Sequence, residues 1–193
     1  ALEQCGHAIF QIGPIQDVAN MLLAGSYVTY LNRINYRDKE INTLASRKVA
    51  RSNDDELVKT KTLLEFVSND IRYVSDPDDG LEYAKDPIDT LIAGAGDCED
   101  QALLLASMLE SVGVQTYMAF TPEHVFLLVC FNKPHTDLQA APYGYIAGRP
   151  CYALDPSMPK AEMGVSTASP QEIERVFDSR ERKLVHFYPT GLK

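Results

Sequence analysis

A continuous apolar segment that follows a glycine turn constrains the fold of this chain more than any other feature. Residues 102–112 are apolar on nearly every side of a helix, and Gly113 is well placed as a C-terminal cap. A helix of this kind is buried on all sides, so the other elements must pack around it. Gly94 and Gly96 precede the segment and predict a sharp turn that delivers Cys98 to the first turn of the helix.

Helical patterns also precede this segment. The spacing of apolar residues predicts helices over residues 15–30 and 38–50, and a third helix that begins after residues 53–55. The apolar face of the third helix consists of Leu57, Leu64, Val67, Ile71 and Val74. A polar turn over residues 75–80 ends it, and Asp86-Pro87 opens a short helical turn before the glycines.

The pattern changes to that of strands after Gly113. The predicted strands, rich in Val, Phe, Tyr and Leu, are 114–120, 124–131, 151–154 and 184–188. A long loop over residues 132–149 precedes the third of them, and Ser169 marks a further helix start. Helices followed by an antiparallel sheet indicate an α+β fold. We therefore expect the central helix, which carries Cys98, to pack on this sheet.

The net charge and the length of the apolar segments argue against some classes of partner. A net charge of −9 without a cluster of Lys and Arg argues against a nucleic-acid partner. The same charge argues against contact with an anionic membrane surface, and no apolar segment approaches the ~20 residues needed to cross a bilayer. We expect a soluble domain, whether free or excised from a larger or membrane-anchored protein, and the sequence leaves its compartment open.

The position of Cys98 has two interpretations. At a helix N-terminus, unpaired N–H groups and a partial positive charge favour thiolate over thiol. The same N–H groups can stabilise an oxyanion that forms on an attacked carbonyl. A free cysteine is nevertheless more often buried and inert than reactive. Cys98 therefore needs partners before it can be interpreted as a nucleophile.

His124 and Asp155 supply those partners. His124 begins one predicted strand and Asp155 ends another. If the two strands pair antiparallel, His124 and Asp155 lie opposite one another at the same end of the sheet, where the central helix can bring Cys98 to them. The three residues then form a thiol nucleophile, an imidazole base and a carboxylate that orients the imidazole.

Three short motifs carry a resemblance to a known family, and they are Gly96-Asp97-Cys98-Glu99-Asp100, Glu123-His124-Val125 and Leu154-Asp155-Pro156. They resemble the motifs of the transglutaminase-like superfamily of cysteine enzymes. The form of the first motif is especially similar to the prokaryotic transglutaminase-like cysteine proteases. The similarity covers residues 55–160, and it includes Ile71-Arg72-Tyr73 and Asp86-Pro87.

The resemblance implies a papain-like fold in which Cys98 is the nucleophile, His124 the general base and acid, and Asp155 the orienting carboxylate. The chemistry requires no cofactor. Calcium can be held, in the branch that the chain resembles, by acidic residues that flank the cysteine, here Asp97, Glu99 or Asp100. The chain has no Trp, which animal-type transglutaminases usually place near the active site. It also lacks the zinc-binding cysteine pairs of the peptide:N-glycanase branch.

Other polar residues receive a structural interpretation. An acidic cluster lacks the spacing of a known calcium loop and is interpreted as a solvated turn; its members are Asp76, Asp78, Asp79 and Glu82. Cys5 and His7 are too few ligands for a metal site. Cys130 and Cys151 fall on the same face of neighbouring strands, as a disulfide or as two buried thiols, and we favour buried thiols.

The sequence predicts a single domain over residues 1–193. Its parts are a helical extension over 1–52, a catalytic core over 53–160, and a C-terminal helix and strand over 161–193. We expect a thiol-dependent hydrolase, a protease or amidase that acts on protein or peptide substrates. Two alternatives stay open: a protein-glutamine transamidase, and an inactive binding or scaffold module with the same fold.

Overall fold

The computed structural model describes residues 27–76, 84–135, 138 and 140–191. The helices in these ranges are Tyr27–Arg33 (α1), Lys39–Lys48 (α2), Glu56–Asp70 (α3), Pro87–Ala93 (α4) and Cys98–Ser111 (α5). The strands are Arg72–Tyr73 (β1), Ala95–Gly96 (β2), Thr116–Phe120 (β3), Val125–Cys130 (β4), Gly144–Ile146 (β5), Arg149–Leu154 (β6), Arg175–Asp178 (β7), Leu184–Val185 (β8) and Phe187–Pro189 (β9). Of these helices, none is long and apolar enough to span a membrane.

Capping residues explain where the helices begin. The Asp38 side chain accepts two backbone N–H groups at the start of α2, and Asp55 accepts one at the start of α3. Pro87 opens α4, where its missing N–H is not needed. The helix predicted over residues 38–50 is confirmed, whereas most of the one predicted over 15–30 lies outside the described residues.

α3 is shorter than its apolar spacing predicts. The prediction extended it to Val74, but the helix ends at Asp70, and Ile71 has extended backbone angles of φ −104° and ψ 111°. The following strand, β1, pairs in parallel with β2, so that Tyr73 lies opposite Gly96. Because this ladder satisfies the backbone just after α3, it ends the helix and ties it to the glycine turn.

α5 is the centre of the helical half of the molecule, as its apolar pattern predicts. Helices α2, α3 and α4 pack on it, together with strands β3 and β4. Its residues are buried without interruption from Glu99 to Glu110. The prediction of a central, cysteine-bearing helix that packs on an antiparallel sheet is therefore confirmed.

The sheet closes on itself. Its strand order is β8-β7-β3-β4-β6-β5-β9, and every neighbouring pair is antiparallel. β8 and β9 lie at opposite ends of this order, yet only His186 separates them in the chain. Residues 184–189 therefore pair with both edges and close the sheet into a barrel.

The barrel contains two strands that the sequence did not predict. β5 lies within the segment predicted as a long loop. It has only three residues, and the prolines and glycines around it are typical of turns. β7 lies just after Ser169, where a helix was predicted and only a short 3-10 turn, Pro170–Glu172, forms. Both strands are short, and only pairing with distant strands defines them.

Alternate residues of the central strands belong to two separate cores. In β4, Leu127 and Val129 face the core shared with the helices, whereas Phe126 and Leu128 belong to a second cluster within the sheet. Cys130 continues this second set. The alternation is that of a sheet with helices on one face and a filled barrel interior on the other.

Cys130 and Cys151 form a disulfide in the barrel interior. They lie directly opposite one another in the antiparallel ladder of β4 and β6. The preference for two buried thiols is therefore wrong, because the register places the two side chains as a facing pair. The disulfide joins the strand that follows His124 to the strand that precedes Asp155.

Candidate active site

The turn before α5 requires both of its glycines. Gly94 ends α4 in the left-handed conformation, with φ 59°, which favours glycine. At Gly96, a Cβ atom would lie 2.5 Å from the Cβ of Asp100. Asp97 then caps α5, because its side chain accepts the backbone N–H of Asp100 at 3.4 Å. As predicted, this turn places Cys98 at the first residue of the helix.

Two buried polar side chains hold this turn in place. Asp100 accepts the backbone N–H of Lys85 at 2.6 Å and forms an ion pair with the Lys85 ammonium. The Gln101 Nε2 donates to the carbonyl oxygens of Ile71 at 3.2 Å and Gly96 at 3.3 Å. The turn is thereby tied both to the segment before α4 and to Ile71, the residue before β1.

The Cys98 sulfur lies between β4 and the acidic first turn of α5. The backbone N–H of Val125 donates to the sulfur, and the thiol donates to Oε2 of Glu99 at 3.3 Å. Burial, followed by the charge of Glu99, raises the pKa of the thiol to about 12. In this conformation, burial and the adjacent carboxylate therefore outweigh the helix N-terminus, which by itself favours the thiolate.

His124 immediately precedes β4, where the prediction placed it. Its carbonyl accepts hydrogen bonds from the backbone N–H of Thr121 at 2.9 Å and from the Thr121 hydroxyl at 3.1 Å, which closes the turn from β3. Its Nε2 lies 2.8 Å from Oδ2 of Asp155. Because the next residue, Val125, contacts the Cys98 sulfur, β4 brings the imidazole-bearing residue beside α5.

Asp155 is fully buried and surrounded by donors. Its Oδ2 accepts from His124 Nε2 and from the Ser166 hydroxyl, both at 2.8 Å, and from the Thr167 N–H at 3.2 Å. Its Oδ1 accepts from the Ser157 hydroxyl at 2.6 Å. Burial alone would raise the pKa of Asp155, but the hydrogen bonds from His124 and Ser157 lower it to about 2. The carboxylate is therefore ionised and fixed in orientation at neutral pH.

The register that joins these residues differs from the predicted one by two positions. β4 and β6 pair antiparallel, as predicted, but Leu127 lies opposite Leu154. If this register continues by one residue, Phe126 lies opposite Asp155, and His124 is the diagonal neighbour of Asp155. A diagonal pair is within reach of long or ring-bearing side chains, so the two residues still meet.

Three carboxylates beside Cys98 form a candidate cation site. Among the residues that the structure describes, oxygens of Asp76, Asp97 and Glu99 all lie within 4.8 Å of one another. Burial, followed by the charge of Asp100, raises the pKa of Asp97, as expected for crowded acids. An all-oxygen donor set with several carboxylates is the kind that Ca²⁺ prefers.

The three residues predicted as calcium ligands therefore lie in two different environments. Asp97 and Glu99 belong to the cluster, whereas Asp100 pairs with Lys85. Asp76, interpreted from the sequence as part of a solvated turn, lies next to the cysteine turn instead. The remaining members of that acidic turn, at positions 78, 79 and 82, lie outside the described residues, as do Cys5 and His7.

Part of the chain matches a known protein family. Residues 43–125 match the transglutaminase-like superfamily, and this span includes the cysteine turn and His124. This part of the chain is similar to the core domain of that superfamily, as the motifs predict. No curated protein sequence matches the chain significantly.

The chain is also similar in fold to solved structures. A candidate protease from Parabacteroides distasonis has a TM-score of 0.51 at 13% identity, over 84% of this chain and 30% of that one. LapG from Legionella pneumophila has a TM-score of 0.49 at 19% identity, over 81% of this chain and 88% of that one. A calcium-bound form of LapG has a TM-score of 0.41 at 20% identity, over 83% and 90%. The α+β, papain-like fold class is confirmed.

Several residues of the site were not found from the sequence. Ser157 lies two residues after Asp155, where a hydroxyl commonly bonds a nearby acceptor, so its proximity was a usable signal. Ser166, Thr167, Lys85 and Gln101 had no such signal. Each reaches the candidate site through a contact between segments that are separated by five or more residues in the chain.

Proposed function

We propose that this chain is a cysteine hydrolase, a protease or amidase that acts on protein substrates. The observation that carries the proposal is the 2.8 Å contact between His124 Nε2 and Asp155, on the strand whose first amide bonds the Cys98 sulfur. Cys98 is the nucleophile, His124 the general base and acid, and Asp155 the carboxylate that orients the imidazole.

The proposed reaction uses the second ring nitrogen of His124. With Nε2–H donated to Asp155, Nδ1 carries a lone pair and takes the thiol proton as the sulfur attacks the amide carbonyl. Nδ1 then gives this proton to the departing amine, the C–N bond breaks, and a thioester remains. Water next loses a proton to Nδ1 and attacks the thioester. The C–S bond breaks and the proton returns to sulfur, which restores the starting site.

The test of this proposal is hydrolysis of a mixture of synthetic peptides of diverse sequence, with cleaved products identified by mass spectrometry. We expect the wild-type protein to cleave peptides, and Cys98→Ala to cleave none under the same conditions. Ser68→Ala, a substitution away from the site, serves as the matched control and is expected to cleave like wild type. Equal cleavage by Cys98→Ala and wild type would overturn the proposal.

The same assay separates the two alternatives. A protein-glutamine transamidase would attach an added primary amine to glutamine side chains, which mass spectrometry detects as a modified peptide. An inactive binding module would leave every peptide unchanged, with or without the added amine. An enzyme is favoured over the binding module because an ionised, oriented carboxylate behind an imidazole is what general-base catalysis requires. Hydrolysis is favoured over transamidation because the chain has no Trp, which animal-type transglutaminases usually place near the active site.

We also propose that Asp76, Asp97 and Glu99 hold a calcium ion. The donor chemistry supports it, since these carboxylates are close together and Asp97 and Glu99 are buried. A bound cation would supply positive charge next to the thiol. Glu99 and Asp97 both raise the pKa of Cys98 through their charges, so neutralising them favours loss of the thiol proton.

Calcium is therefore expected to accelerate the labelling of Cys98 by iodoacetamide at about pH 7. The expected gain over the same protein in EGTA is at least ~10-fold, the factor that corresponds to one unit of pKa. Glu99→Gln removes the nearest negative charge and is expected to label rapidly in EGTA as well. Equal wild-type rates in calcium and EGTA, with Cys98 identified as the labelled residue, would contradict the calcium proposal.

A further inference from the structure

A large groove separates α3 from the loop that follows Asp155. Its volume is about 1060 Å³, slightly above the ~300–1,000 Å³ range of ligand sites. The buried side chains of Leu64 and Met163 contribute apolar surface to it. Charged residues line both walls in equal numbers of each sign, and they are Lys61, Glu65, Lys160 and Glu162.

The wall of the groove that α3 forms is connected to the turn that carries Cys98. Asn69, which lines the groove, is the penultimate residue of α3. Two residues later, the carbonyl of Ile71 accepts the Gln101 side chain. The same amide also bonds the carbonyl of Gly96, two residues before Cys98. The end of the groove at Asn69 is thus joined to the cysteine turn by a short set of buried contacts.

The opposite wall, formed by the loop that follows Asp155, is connected to the Asp155 carboxylate and through it to His124. Val165 lines the groove and bridges the last residue of β6, Leu154. The next residue, Ser166, donates its hydroxyl to the Asp155 oxygen that also contacts His124. Asn69 and Val165 line the same groove, and each is therefore connected through neighbouring residues to one half of the proposed catalytic site.

We propose that this groove is an extended substrate subsite that holds a stretch of polypeptide adjoining the bond to be cleaved. The inference rests on the proposed function. The apolar surface of Leu64 and Met163 fits an apolar side chain of the substrate. The balanced charges of the walls fit a segment without net charge, since neither sign is favoured. Contacts made here, away from the reacting bond, supply binding energy that positions the scissile amide at Cys98.

The proposal is tested by filling the groove from each wall separately. Val165→Trp and Lys61→Trp place a bulky ring in the groove from the loop and from α3. Val58→Trp is the matched control, because Val58 lies outside the groove on α3 and is as exposed as Val165, at 43% and 38%. Cleavage of the mixed synthetic peptides is measured for each variant as kcat and KM, together with residue preferences on either side of the cleaved bond.

We expect wild type and Val58→Trp to prefer an apolar residue at one position near the cleaved bond. Both groove variants are expected to lose this preference and to show a kcat/KM lower by about tenfold or more, mainly through KM. Iodoacetamide labelling of Cys98 reports separately whether the site is assembled. Retention of the wild-type preference and kcat/KM by both groove variants would overturn the subsite. Absence of all cleavage by wild type would instead contradict the hydrolase proposal itself.

Discussion

Replacement of His124 by alanine is expected to lower the kcat for peptide hydrolysis by about 10³-fold or more. Without the imidazole, the site loses the base proposed to take the thiol proton, and Asp155 loses the partner that it orients. In calcium, the same variant is expected to label with iodoacetamide only near or above the free-thiol pKa of ~8.5. The wild-type protein in calcium is expected to label well below that pH.

The pH profile distinguishes a catalytic role of His124 from a structural one. His186→Ala is the matched control, because His186 is exposed between β8 and β9 and lies outside the proposed site. It is expected to keep the wild-type kcat and the wild-type pH dependence of labelling. If His124→Ala and wild type label with the same pH dependence in calcium, the thiol and the imidazole do not act as a pair. The binding-module alternative would then be favoured.

Replacement of Asp100 by alanine is expected to lower the free energy of unfolding by about 3 kcal/mol. The Asp100 side chain is completely buried, and it accepts both the backbone N–H and the ammonium group of Lys85. Its loss leaves these donors without their acceptor and empties the space against Gly96. Chemical denaturation, followed by fluorescence of the tyrosines, measures the change.

Two further variants separate the charge from the hydrogen bond. Asp100→Asn keeps one carbonyl acceptor for the Lys85 N–H and is expected to be intermediate in stability. Asp89→Asn, at an exposed position on α4, is expected to change the free energy of unfolding by less than about 0.5 kcal/mol. A loss in Asp100→Ala no larger than that in Asp89→Asn would contradict the structural role assigned to this ion pair.

Asp100 also illustrates how the structure divides the acidic residues around the nucleophile. Its neighbours Asp97 and Glu99 point their oxygens towards Asp76, whereas Asp100 turns to Lys85. Residues that are adjacent in sequence project in different directions from the first turn of a helix. A motif of closely spaced acids therefore does not by itself reveal which of them share a cation.

The sequence alone predicted the central helix and the glycine turn before it. It also singled out Cys98, His124 and Asp155, whose positions at element ends follow from local patterns of apolar, glycine and proline residues. It did not predict β5 or β7, which are too short for a periodic pattern and exist only through pairing. The division of the chain at residues 52 and 160 stays a prediction.

Only the tertiary structure decided the chemical state of the site. Burial and Glu99 raise the pKa of Cys98, against the expectation from the helix N-terminus, and both effects depend on neighbours that β4 brings into place. The register of β4 and β6 places Cys130 directly opposite Cys151, and the two form a disulfide. Local sequence determines which elements form, because turns and periodicity act between near neighbours. Protonation and pairing depend on desolvation and on contacts between distant segments, which no short window of sequence contains.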